Sequence, residues 1–242
     1  MNLLPRLLFP LGLLLAVSGC ESLTGHSADR TSKTPYVPVN VVGEPIMPTR
    51  LRRLVLMPVA GGSEASPESC AAIDAVVVEA LQHENRFEIV HLSREECQTH
   101  FQCDELSSVM PLPANFMAVL RRDYAADGVL FVDVTVYRAY SPLIIGLRAK
   151  LAMIDDAHLV WSFDNLYSTD DPAVAASATH YLQARETLNQ LPPDLTTVIL
   201  QSPDRFACYA VSSMFDTLPP IRGRERSDVA SAPAGRKEAK AH

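Results

Sequence analysis

Between residues 130 and 167 the chain alternates apolar and polar side chains in three successive runs. Leu130, Val132, Val134 and Val136 alternate with Phe131, Asp133, Thr135 and Tyr137. After Tyr140-Ser141-Pro142 a second run sets Ile145, Leu147, Ala149, Leu151 and Met153 at every other position, and a third spans His158 to Tyr167. A period of two sends successive side chains to opposite faces of a strand, so each run reads as a strand with one apolar face. The connections Tyr140-Ser141-Pro142 and Asp155-Asp156-Ala157 are short and turn-like, which predicts an antiparallel meander.

The same pattern predicts a register. A hairpin centred between Ser141 and Pro142 places Val136 opposite Leu147, Val134 opposite Ala149 and Val132 opposite Leu151, with Asp133 facing Lys150 on the other side. Slipping one strand by one residue would put the two apolar rows on different faces, and the paired charges select the same register. The third strand is then expected to set Met153 opposite Leu159, Leu151 opposite Trp161 and Arg148 opposite Asp164.

Upstream, Leu51 to Val59 contains the apolar run Leu54-Val55-Leu56-Met57, which suits a strand buried on both faces. After the turn Gly61-Gly62-Ser63, a helix is expected from about Pro67 to His83, with Ile73, Val76, Val77, Ala80 and Leu81 on one face. A strand from Arg86 to Leu92 follows, then a helix from Asn115 to Ala126, opened near Pro113 and stopped by Gly128. Helices return from Ala173 to about Leu188 and from Ser202-Pro203 to about Leu218. The expected fold class is α/β: a single sandwich domain with a mixed sheet, strand-helix-strand-helix and then a three-strand antiparallel meander, with helices packed on it.

The two ends have another character. Met1 to Gly19 holds one early cation, Arg6, an apolar stretch from Leu7 to Val17 and small residues, the layout of an export signal. The stretch falls short of the roughly 20 apolar residues that a membrane-spanning helix needs. Val17-Ser18-Gly19-Cys20 resembles a lipobox, which implies a signal peptide over residues 1–19 and lipidation of Cys20. Glu21 in the next position implies sorting to the outer membrane in preference to inner-membrane retention. Residues 20–50 read as a lipidated Cys and a flexible linker, which at about 5–6 Å × √n would span roughly 30 Å. The α/β domain is expected over 51–221 and a disordered basic tail over 222–242. The net charge of −7, with no cation cluster on a folded segment, does not suggest nucleic-acid binding.

Four cysteines remain besides Cys20. In an oxidising compartment an even number makes disulfides expected; Cys97 with Cys103 is favoured across its short polar loop, and Cys70 with Cys208 is the weaker pair. Taking Cys97, His100 and Cys103, with His91, as metal ligands fails on spacing, so no metal and no cofactor are expected. Gly61-Gly62-Ser63 lacks both the dinucleotide fingerprint and the P-loop ending and reads as a plain turn. Asp155-Asp156 and Asp170-Asp171 fall in a turn and before a helix, His91, His100, His158 and His180 are scattered, and no nucleophile elbow or zinc-protease motif occurs, so no catalytic residue is assigned. Trp161 falls in period with the core. The polar side of the meander, Asp133, Thr135, Arg148 and Lys150, is the candidate partner face.

The segments "RLVLMPV", "AADGVLFVDVTVYRAY", "IIGLRAKLAMIDDAHLVWSFDNLYSTDDP" and "SPDRFACYAV" resemble the periplasmic lipoproteins related to the curli-secretion lipoprotein and to the outer-membrane activators of penicillin-binding proteins. The resemblance covers most of 51–218 and rests on strand, turn and core positions. It implies a non-enzymatic, lipid-anchored module facing the periplasm, whose partner is the membrane together with an envelope protein or another copy of itself. The short Tyr140 to Ile145 connection leaves no long hairpin for a membrane barrel. An envelope hydrolase with dispersed catalytic residues is the alternative.

Overall fold

The computed structural model describes residues 35–185 and 200–222. The signal, Cys20 and the tail from residue 223 lie outside the described residues. One six-stranded mixed sheet organises the domain, formed by β1 (Val41–Gly43), β2 (Arg53–Leu56), β3 (Glu88–His91), β4 (Gly128–Arg138), β5 (Ile144–Met153) and β6 (Leu159–Ser168) in the order β1-β6-β5-β4-β2-β3. Strand β2 pairs in parallel with β3 and β4, and the meander β4-β5-β6 and the edge strand β1 pair antiparallel. The described helices are α1 (Pro67–Glu84), α2 (Arg94–Phe101), α3 (Phe116–Tyr124), α4 (Pro172–Arg185) and α5 (Pro203–Phe215).

Two apolar clusters sandwich the sheet. On the first face α1, α4 and α5 pack over Leu54, Leu56, Leu130, Val132, Leu147, Ala149, Leu151 and Phe163. The second face takes Val55, Met57, Val129 and Phe131 against Phe101, Phe116, Val119 and Leu120 of α2 and α3. This is why β2 is apolar from Leu54 to Leu56: consecutive side chains enter different cores.

The meander forms, with its hairpin two residues out of the expected register. Val134 pairs with Leu147, Val132 with Ala149, Leu130 with Leu151, and Asp133 faces Arg148 where Lys150 was expected. A two-residue slip leaves every side chain on its own face, so alternation cannot detect it. One residue of the offset is already present beside the turn, where Val136 pairs with Gly146 and not with Leu147, and a bulge between Val134 and Val136 adds the second. It puts Val134 and Tyr137 together against the first core although three positions separate them. Gly146 makes room for it, since a Cβ there would lie 2.4 Å from Thr135 Oγ1 and 3.1 Å from the Val136 nitrogen.

Strands β5 and β6 pair Leu151 with Trp161 and Arg148 with Asp164 as expected. A second irregularity follows, and Leu159 pairs with Ala152, where Met153 was expected. The extra residue lets Val160 and Trp161, which are consecutive, both reach the core.

Three other departures matter. Val41–Gly43 falls within the expected linker, yet it adds β1 to the sheet, Tyr36 packs on Tyr167 at 5.6 Å between ring centroids, and Met47 is buried. Helix α3 stops on Ala125, which takes left-handed φ 51, three residues before the expected Gly128. Gly128 instead starts β4, where a Cβ would lie 2.4 Å from Leu51 Cδ1. Helix α2 was not expected at all. Its signal was present in Ser93-x-x-Glu96, whose side chains and backbone form a reciprocal capping box.

Candidate functional site

The second face of the sheet is covered at one end and open at the other. Helices α2 and α3 lie over β2 and the start of β4. Between them, residues 102–115 run as a strap with little regular structure. Two fastenings hold it. Ser108 donates to the Asp133 carboxylate from its backbone N–H at 3.0 Å and from its hydroxyl at 2.5 Å, and its carbonyl accepts from Lys150 Nζ at 2.9 Å. Glu105 is held by the Gly61 and Gly62 amides and by Arg94.

The strap redistributes the four residues of the expected partner face. Asp133 is buried, at 4% exposure, and does not lie on an open surface: Ser108 covers it and satisfies its charge. Lys150 is tied beneath the same loop. Thr135 and Arg148 remain half-buried, and Arg148 Nε donates to Asp164 Oδ2 at 2.8 Å. Beyond the strap the face is open, and an apolar pair borders the ion pair. Val136 and Leu166 flank Gly146 in one cross-strand row, and both are exposed. Val109 and Met110 project from the strap with 56% and 62% exposure. Met110, Thr135 and Arg148 share the wall of a cleft of about 500 Å³ with Gly61, Gly62 and Glu105. Alternation assigns Val136 to the core, and the bulge turns it out.

The start of α2 is closed by its capping box. The Ser93 amide, and then its hydroxyl, hold the Glu96 carboxyl below the usual carboxylate range. A lowered folded value means that the unfolded chain takes up the proton first. The stabilisation is therefore complete above the ordinary glutamate value of about 4.3 and fades as pH falls through the folded one. Glu96→Ala is expected to cost about 1 kcal/mol at pH 7 and correspondingly less at pH 3, read by denaturant unfolding at the two pH values.

The described cysteines are free thiols. Cys97 and Cys103 are brought together, and burial, followed by the neighbouring Cys103, pushes the Cys97 thiol up to about 12. Cys70 is buried beside the Gly61 turn, and Cys208 is partly buried on α5. His100 packs on Phe101 and Tyr124, with Asp123 3.9 Å away. Among the described residues, no three His, Cys, Asp or Glu side chains converge where they could hold a metal ion. None of the described helices is long and apolar enough to cross a membrane.

No family model matches the chain, and no curated protein matches it in sequence. Solved structures do. The chain is similar to PelC, solved as a dodecamer from Paraburkholderia phytofirmans, at 11% identity and TM-score 0.42, covering 74% of this chain and 96% of that one. It is similar to lipoprotein GNA1162 from Neisseria meningitidis at 16% identity and TM-score 0.36, covering 56% and 99%. The LpoB C-terminal domain from Escherichia coli is similar at 20% identity and TM-score 0.33, covering 49% and 83%.

Proposed function

We propose that this chain is a non-enzymatic interaction module of the cell envelope, anchored by lipid on Cys20 at the outer membrane and facing the periplasm. The open end of the second sheet face is its docking surface. The observation that carries the reading is the row Val136-Gly146-Leu166 beside the Arg148–Asp164 pair, whose Arg148 shares a cleft wall with Met110 of the strap. An exposed apolar patch rimmed by charge is the usual make-up of a protein-docking surface. Thr135 and Arg148 belong to this proposed surface, while Asp133 and Lys150 act from beneath by holding the strap.

The partner is an envelope protein or a second copy of the chain. Leu166→Arg puts a charge in the middle of the patch, on a side chain that is already exposed, so folding is expected to be unaffected. Crosslinking in cells followed by capture of the tagged chain should lose its principal crosslinked species, with a fall of roughly tenfold or more for a central apolar contact. Arg148→Ala should weaken the same species to a smaller degree. Unchanged capture by both folded variants would rule out this face.

A further inference from the structure

Gly61 and Gly62 lie just past β2 and turn consecutive backbone N–H groups onto one atom, Glu105 Oε1, each at 3.1 Å. The other oxygen accepts from Arg94 Nη1 at 2.9 Å. Gly62 adopts left-handed φ 53, the conformation that aims neighbouring amides the same way and builds an anion-binding concavity. Gly61 admits no side chain, since a Cβ there would lie 2.3 Å from Cys70 Sγ. Arg94 also donates to Asp74 Oδ2 at 2.8 Å and to the Val59 carbonyl at 2.7 Å. Asp74 therefore already balances the guanidinium. With Glu105 withdrawn, a neutral ion pair and two amides without an acceptor would remain, and such a group of donors takes up an anion.

The occupant, Glu105, belongs to the strap. Glu105 is 24% exposed and forms part of the wall of the 500 Å³ cleft that Met110, Thr135 and Arg148 also line. Gly61, Gly62 and Glu105 therefore share one cleft with Thr135 and Arg148 of the proposed docking surface, and Arg94 reaches it through Glu105.

We propose that Gly61, Gly62 and Arg94 form a carboxylate receptor, occupied in cis by Glu105, and that a carboxylate of a peptide partner seated on the docking surface takes its place. This rests on the docking reading. Tethering gives Glu105 an effective concentration on the order of millimolar, so a free carboxylate competes poorly while one carried by a docked chain competes on similar terms. The exchange would release one of the strap's two fastenings and leave Ser108 on Asp133, so that docking loosens the strap.

The test uses the mature chain carrying Cys20→Ser, with amide resonances followed by NMR. Wild type, Glu105→Ala and Glu105→Gln are titrated with acetyl-Ala-Ala-Ala as the free acid and as its C-terminal amide. The acid should move the Gly61 and Gly62 amides in Glu105→Ala at a concentration about tenfold or more below that needed in wild type, because the tethered competitor is gone. The amidated peptide should leave them in place. Glu105→Gln keeps the side chain's size and guards against misfolding; it should fall between the two. Equal response to acid and amide, or Gly61 and Gly62 amides that stay put in both variants, would overturn the receptor. Since no partner is needed, this outcome is read independently of the Leu166→Arg crosslinking result.

Discussion

Replacing Cys20 with Ser is expected to move the whole protein from the membrane fraction to the soluble periplasmic fraction. The anchor proposed at Cys20 acts by burial of acyl chains, worth about 0.8 kcal/mol per CH₂. One chain of myristoyl length binds a bilayer with K of only about 10⁴ M⁻¹, so stable attachment needs a second chain, which a diacylated thiol supplies together with an acylated amine. No helix of the described residues offers another means of spanning the bilayer. Serine cannot form the thioether, so all the chains are lost at once and the effect is nearly all-or-none. Fractionation with metabolic fatty-acid labelling reads it directly. Label in the wild type and none in the variant is the expected pair, and a Cys20→Ser protein that still sediments with membranes would refute the anchor.

The second large effect is predicted for Trp161→Ala, a loss of about 3–5 kcal/mol, the range for deleting a large buried aromatic side chain. Trp161 is fully buried. Its ring stacks on Phe163 at 5.9 Å, its Nε1–H donates to Thr217 Oγ1 at 3.2 Å, and it faces Leu151 across the strand pair. The substitution therefore opens a void and also leaves the C-terminal turn after α5 without its tie to the sheet. Denaturant unfolding should show a lower midpoint with an unchanged slope. A shift of less than about 1 kcal/mol would mean that the first core is not organised around this residue.

The sequence reading and the structure agree and part for identifiable reasons. Period-two alternation is a property of single strands and survives into the fold, so the three meander strands and the apolar face of β5 were legible. The pairing of β5 with β6 at Leu151–Trp161 and Arg148–Asp164 was legible because pattern and charge both bear on it. Hairpin register on β4 was not: from Leu130 to Val134 the error was two residues and the pattern repeats every two, and beside the turn the bulge, which local alternation does not reveal, separates Val136 from the core row. The bulges at Thr135 and Val160 depend on what packs beneath them. Gly146 had a meaning only once Thr135 was opposite it. Helix α2 was legible in Ser93 and Glu96 but is only eight residues long, too short for an apolar period to reveal.

The candidate site divides in the same way. Arg148 and Thr135 could be placed on the polar side of the meander from local sequence alone. Asp133 belongs to that side as well, yet its burial depends on Ser108, twenty-five positions away, and on Lys150 of the neighbouring strand. Local sequence thus determined which residues alternate, which face each strand turns to the core and where α1 and α5 begin at their serine caps, because those properties come from the backbone's own period and hydrogen-bonding needs. Tertiary structure alone decided where the strap lies, which carboxylates it buries and which apolar side chains stay uncovered. Those outcomes depend on contacts between segments far apart in the chain, and no local periodicity encodes such contacts.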